Sequence, residues 1–220
     1  MGSEKEHQVA VKYPPFGIEI DGSDLPAADQ SQYEASVKWH LDLINRSQTG
    51  HALLEAIRST GKGMSIQPWL KAEVNAEASA RDRRGATAAG EYVIGAPNKP
   101  KQGGFWAWKG PMVGTGQGSN AVVRYSPSMF GFGGSGAASA PPTVAGTGAA
   151  SVLFHEMCHA YRMMRGTQYR GATMGGRAAY DNEEEFFAIL LSNVFVSDPS
   201  TQVQVRILRA DHHGFAALAA

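Results

Sequence analysis

Residues 152–161 read VLFHEMCHAY, and this stretch decides both the fold and the chemistry that the sequence predicts. Its two histidines, His155 and His159, stand four residues apart. Residues at that spacing lie one above the other on a single face of an α-helix. Their imidazoles can therefore converge on one metal ion, with the carboxylate of Glu156 beside them.

The pattern H-E-x-x-H is typical of zinc hydrolases. Zinc in such sites binds neutral imidazole nitrogens, and a carboxylate outside the ligand set accepts a proton from the bound water. We therefore predict that His155 and His159 bind Zn2+ and that Glu156 is the catalytic base. Polar side chains in a core helix need partners, and a metal supplies them. The flanking residues make this helix apolar nearly all round, as in a core: Val152, Leu153, Phe154, Met157, Ala160, Met163 and Met164.

A third ligand is expected downstream, because a catalytic zinc ion takes three protein ligands and leaves its fourth position to water. Residues 181–191, DNEEEFFAILL, supply three consecutive acids at the start of an apolar helix. Helical neighbours point about 100° apart, so one of Glu183, Glu184 and Glu185 is expected to turn towards the metal. This spacing leaves the choice among the three open. The same acids also fit a charged first turn that the helix dipole favours.

Two stretches together resemble the active-site motifs of bacterial toxin and effector zinc metallopeptidases: FHEMCHA, residues 154–160, and NEEEFFA, residues 182–188. The second stretch is similar to the motif of anthrax lethal factor. The order of segments along the chain is similar to that of NleD-like effectors and of metallopeptidase domains of type VI secretion VgrG spike proteins. The resemblance implies a zincin-like fold, hydrolysis of peptide bonds, and zinc binding by the glutamate before the two phenylalanines, Glu185.

The same resemblance implies two further features of the site. Tyr180, which precedes the acids, is predicted to be catalytic by donating a hydrogen bond to the oxyanion of the reaction intermediate. Residues 121–125 are expected to form the sheet edge on which an extended protein or peptide substrate docks through main-chain hydrogen bonds.

The charge balance excludes several classes of partner. The 220 residues include 20 Lys and Arg against 20 Asp and Glu. Nucleic-acid and anionic-membrane binding favour a basic surplus, so neither is expected. We see no apolar run of the ~18–20 residues that a membrane span needs, and no signal-peptide core at the N-terminus. We therefore expect a protein that is secreted or translocated by a specialised bacterial secretion system, through a carrier or a fused delivery domain.

The expected fold class is α+β, a zincin-like metallopeptidase with the catalytic helix, a small mixed sheet and additional helices. We place an N-terminal extension at residues 1–30 and the metallopeptidase domain at 31–220. Apolar residues at helical spacing predict helices over 32–46 and from Thr49 to Gly61. The domain is divided into a helical pair (31–62), a strand-rich part (63–125), a glycine-rich loop (126–148) and the catalytic helices (149–220).

Three other interpretations use the same residues. A zinc-dependent amidase acting on cell-wall peptides would need the same ligands and base. A zinc-stabilised binding module without catalysis would fill the fourth ligand position with a protein donor. A structural helix without metal is the third. Among the other histidines, His40 and His51 have no partner at ligand spacing, and the side chains of the adjacent His212 and His213 diverge, so none of these four is expected to bind metal.

Overall fold

Five strands and four helices form the main body of the protein in a computed structural model. It describes residues 10–72, 76–80, 116–130, 148–168, 183–201 and 208, and the backbone of 99–100 and 106–107. The α+β prediction is confirmed. The elements are β1 (Val11–Tyr13), β2 (Ile18–Ile20), α1 (Ala27–Arg46), α2 (Gln48–Ser59), β3 (Met64–Gln67), β4 (Glu77–Ala80), β5 (Lys99–Pro100), β6 (Trp106–Ala107), β7 (Ala121–Arg124), α3 (Ala149–Arg165) and α4 (Glu183–Ser197).

The main sheet is mixed and runs in the order β1-β2-β3-β7-β4. Its inner pairs, β2 with β3 and β3 with β7, are parallel, and its outer pairs are antiparallel. β5 and β6 form a separate two-stranded sheet. β1 and β2 precede residue 31, the predicted start of the metallopeptidase domain, yet β2 pairs with β3 of that domain and β1 pairs with β2.

β7 lies inside the sheet, because Val123 pairs with Ile66 on one side and with Ala78 on the other. The expectation that residues 121–125 form the substrate-binding edge is therefore wrong. A strand with neighbours on both sides has no unpaired backbone groups to offer a peptide. Among the described strands, β4 forms the edge of the sheet beside β7.

Helices α1 and α2 occupy the two regions where apolar spacing predicts helices, and both pack against α3. α2 begins at Ser47, whose hydroxyl oxygen accepts a hydrogen bond of 2.9 Å from the Gly50 amide. Such a cap satisfies one of the backbone amides that the first turn leaves without a helical partner. Their buried apolar faces are Tyr33, Val37, Leu41 and Ile44 on α1, and Leu53, Leu54 and Ile57 on α2.

Helix α3 carries residues 152–161 through the core, and 13 of its 17 residues are buried. It begins at Ala149 and ends at Gly166, which adopts a left-handed backbone with φ of 64°. The segment 116–119 packs closely on this end, since a Cβ on Gly118 would lie 1.8 Å from the Met164 carbonyl oxygen. The sheet, α1, α2 and this turn thus all pack on α3 and fix where its side chains point.

None of the helices in the described part of the chain has the length and apolarity needed to span a membrane.

Candidate metal centre

His155 and His159 face the same point from successive turns of α3. Their Nε2 atoms are 3.1 Å apart, and the ring centroids lie 4.8 Å apart at an interplanar angle of 81°. Both residues are buried, with 6% and 5% of their surface exposed. The four-residue spacing therefore does bring the two imidazoles together, as the sequence predicts.

Glu185 reaches the same point from the first turn of α4. Its Oε2 lies 3.4 Å from Nε2 of His155, and its Oε1 lies 3.5 Å from Nε2 of His159. Of the three consecutive acids, Glu185 is thus the one that the structure brings to the imidazoles.

One ligand atom from each of these three residues lies within 4.8 Å of the others, close enough to bind one metal ion. With zinc–ligand bonds of about 2.0–2.1 Å, two ligand atoms of a tetrahedral site lie about 3.3 Å apart. The two imidazole nitrogens, 3.1 Å apart, are near that value, and each faces a different oxygen of the Glu185 carboxylate at 3.4 or 3.5 Å. Two imidazole nitrogens and one carboxylate are also a common ligand set of catalytic zinc. Within the described residues no fourth His, Cys, Asp or Glu joins the group.

Two buried carboxyl groups in this site have pKa values displaced in opposite directions. Burial alone would raise the pKa of Glu185, but hydrogen bonds and charge attraction from His155 and His159 outweigh it and hold that pKa well below its usual range. Burial raises the pKa of Glu156 to about 7. The attraction of His159 and a hydrogen bond from the Ala78 backbone oppose this rise. Ala78 belongs to β4, so the edge strand runs beside Glu156.

Glu184 turns away from the histidines and pairs with Arg162 of α3. The guanidinium donates two hydrogen bonds, from Nε to Oε2 at 2.7 Å and from Nη2 to Oε1 at 2.8 Å. Arg162 also donates to the Thr167 carbonyl oxygen at 2.8 Å and stacks 4.8 Å from the Phe187 ring centroid. This ion pair ties the first turn of α4 to α3 and so helps to place Glu185.

Arg162 is a residue that the sequence reasoning missed. The available signal was a basic side chain three residues after His159 on a largely apolar helix, with unassigned acids downstream. A buried carboxylate needs a charged partner, and arginine is the side chain that binds carboxylates through two parallel hydrogen bonds.

The other candidates are residues outside the described part of the chain and two histidines of α1 and α2. Tyr180, His212 and His213 fall outside the described residues, so the role of Tyr180 stays a prediction. His40 lies in the core, with its Nδ1 3.4 Å from the Tyr125 hydroxyl, and burial lowers its pKa to about 4. His51 contacts Asn45.

A mixed sheet, a helix with two convergent histidines and a second helix that adds a glutamate are the features of a zincin-like peptidase. The chain belongs to the Peptidase_M91 family, described as effector protein, whose model matches residues 18–206. The prediction of a bacterial effector peptidase is thereby confirmed, and an effector peptidase implies a protein substrate. A search among curated proteins gave no match. The individual relatives suggested by the motifs remain resemblances.

Proposed function

We propose that this protein is a zinc-dependent endopeptidase in which His155, His159 and Glu185 hold the metal. The observation that carries the proposal is the convergence of two imidazole nitrogens and one carboxylate, with one ligand atom from each residue within 4.8 Å of the others. A bound zinc ion would polarise the scissile carbonyl and lower the pKa of a water molecule towards ~7. The depressed pKa of Glu185 keeps its carboxylate ionised at neutral pH, which is the form that binds a cation.

Glu156 is the proposed general base. It follows the first ligand on α3 and is 9% exposed, so its carboxylate lies in the water-poor interior of the site. A base works best when its pKa is near the working pH, and burial brings that of Glu156 to about 7. It would accept the proton of the attacking water and pass it to the leaving amine.

The edge strand β4 offers a place for the substrate. It pairs with β7 on one side only among the described strands, and its residue Ala78 reaches Glu156 through the backbone. An extended peptide that adds to such an edge gains main-chain hydrogen bonds and passes the base. This arrangement supports a protein chain as the substrate.

Membership of an effector family supports delivery by a specialised secretion system. A carrier protein or a fused delivery domain would supply the route.

The proposal is tested with the purified full chain and Glu156→Gln. The variant should keep one zinc per protein and lose about 10²–10⁴-fold in turnover, because only proton transfer is removed. His155→Ala should lose both zinc and turnover. Glu55→Gln is the matched control, since Glu55 is on α2 in an ion pair with Arg58.

Cleavage is followed by mass spectrometry of a mixed proteome, which also separates a peptidase from an amidase acting on cell-wall peptides. Full activity of Glu156→Gln with zinc present would remove Glu156 from the mechanism. Undiminished biological effect without turnover would favour a binding module.

A further inference from the structure

The second ring nitrogen of His155, Nδ1, faces the buried side of α4. Nε2 points towards His159 and Glu185, and Nδ1 lies 3.5 Å from the hydroxyl oxygen of Ser192. This separation is at the long limit of a hydrogen bond. Ser192 is buried, with 5% of its surface exposed. The hydroxyl therefore meets the imidazole away from solvent.

The direction of the hydrogen bonds decides what Ser192 can offer. Its hydroxyl donates to the Ala188 carbonyl oxygen at 2.7 Å, so its only proton is already used. The oxygen can still accept a hydrogen bond. A neutral His155 that meets this oxygen favourably must carry its proton on Nδ1. Its Nε2 then presents a lone pair to the metal site, as a zinc ligand requires.

We propose that Ser192 is a positioning residue that fixes the tautomer and ring orientation of His155. This role rests on the proposed function, because the orientation of His155 serves zinc binding. Ser192 follows Glu185 by seven residues, which places both on one face of α4. One helix thus supplies a ligand through Glu185 and orients a second ligand through Ser192.

A purely structural role for Ser192 makes a different prediction. A buried serine that bonds the carbonyl four residues back is common in helices and needs no imidazole. In that case the loss of the hydroxyl would change stability slightly and leave the histidine unaffected. The tautomer of His155 and the zinc affinity separate the two roles.

The tautomer is read by NMR of the full chain carrying Glu185→Ala, stripped of metal with a chelator and labelled with the nitrogen isotope at histidine. Glu185→Ala removes the carboxylate that otherwise accepts a hydrogen bond from Nε2 of His155 in the metal-free chain. The His155 signals are assigned by their loss in His155→Gln, at a pH where histidine is neutral. Glu185→Ala alone and Glu185→Ala with Ser192→Thr should carry the proton on Nδ1, and Glu185→Ala with Ser192→Ala should show a mixture. A His155 protonated on Nε2 in Glu185→Ala would overturn the proposal.

Zinc affinity, measured by competition with a chelator, gives the second readout. Ser192→Ala should weaken zinc binding by about 10–100-fold, as losses of such outer contacts do, and Ser192→Thr should restore it. Ser65→Ala is the burial-matched control, because Ser65 is 4% exposed on β3. Its zinc affinity should equal that of wild type.

Unchanged tautomer and affinity in Ser192→Ala would overturn the positioning role. Wild type that binds no zinc would refute the proposed function, while the tautomer would still decide the role of Ser192.

Discussion

The two helices that carry the proposed metal ligands are held in very different ways. In α3, 13 of 17 residues are buried, and Gly166 and the segment 116–119 fix its end. In α4 only 6 of 15 residues are buried, and Leu190, Leu191 and Val194 are exposed by 46%, 36% and 48%. The histidines are thus placed by the core, whereas the glutamate depends on a few specific contacts.

The contacts that dock α4 on α3 are an ion pair, a ring stack and the hydroxyl of Ser192. The ion pair joins Arg162 to Glu184, and Phe154 stacks on Phe195 with centroids 4.3 Å apart and an interplanar angle of 7°. The comparison indicates that the position of Glu185, the proposed third ligand, is the part of the site that changes in packing can shift. Changes in α3 should abolish metal binding, and changes in α4 should tune it.

Removal of a proposed ligand should have the largest effect on zinc affinity. Removing one from α3 and one from α4 compares the two helices. His159→Ala should weaken zinc binding by more than about 100-fold, because a direct ligand must contribute more than an outer contact. Glu185→Gln keeps an uncharged oxygen donor and should weaken zinc binding less than His159→Ala does. Chelator competition measures both affinities. Equal losses in the two variants would contradict the ranking of the helices.

Breaking the ion pair tests how α4 is docked. Arg162→Gln leaves the buried carboxylate of Glu184 without its guanidinium and should lower the free energy of unfolding by about 3–5 kcal/mol. Zinc affinity should fall with it, since Glu185 is the next residue. Urea unfolding of the metal-free protein gives the stability.

The double variant Arg162→Met with Glu184→Leu is the control for this pair. Replacing both charges by apolar groups should recover much of the stability. A single variant as stable as wild type would show that α4 is docked by other contacts.

Acid should weaken the packing at the start of α3. His40 of α1 contacts Tyr125, whose hydroxyl donates to the Ala149 carbonyl oxygen at 2.8 Å at the start of α3. Burial lowers the pKa of His40 from 6.5 to about 4, so the unfolded chain binds the proton more readily. The contribution of His40 to the free energy of unfolding is fully present above about pH 6.5. It decreases as the pH falls towards 4, by about 3 kcal/mol in all.

His40→Phe isolates this contribution, because it fills the site with a ring that does not titrate. The difference in unfolding free energy between wild type and variant should change with pH between 6.5 and 4. The tryptophan and tyrosine that contact His40, Trp39 and Tyr125, carry no charge in this range. A difference that is constant with pH would show that the pKa of His40 is the same in the folded and the unfolded chain.

The convergence of the two histidines could be predicted from the sequence because the information is local. A four-residue spacing on an apolar helix brings His155 and His159 together whatever surrounds them. Glu185 needed the resemblance, since periodicity alone cannot choose among three consecutive acids.

The sheet edge could not be predicted, because a strand is central or at an edge only through its partners. β7 and β4 are both four residues long, and nothing within 121–124 states that strands will pair on both sides. β1 and β2, three residues each, are too short for a periodic signal and fall in the segment assigned to an extension. Ser192 and Arg162 were missed because their partners come from another helix.

The most direct test is a crystal structure of the zinc-loaded full chain with anomalous diffraction at the zinc absorption edge. The account predicts one zinc ion bonded to Nε2 of His155, Nε2 of His159 and a carboxylate oxygen of Glu185, at about 2.0–2.2 Å from each. The fourth position should be open to solvent, with Glu156 beside it. A zinc ion bound elsewhere, or a fourth protein donor in that position, would contradict it.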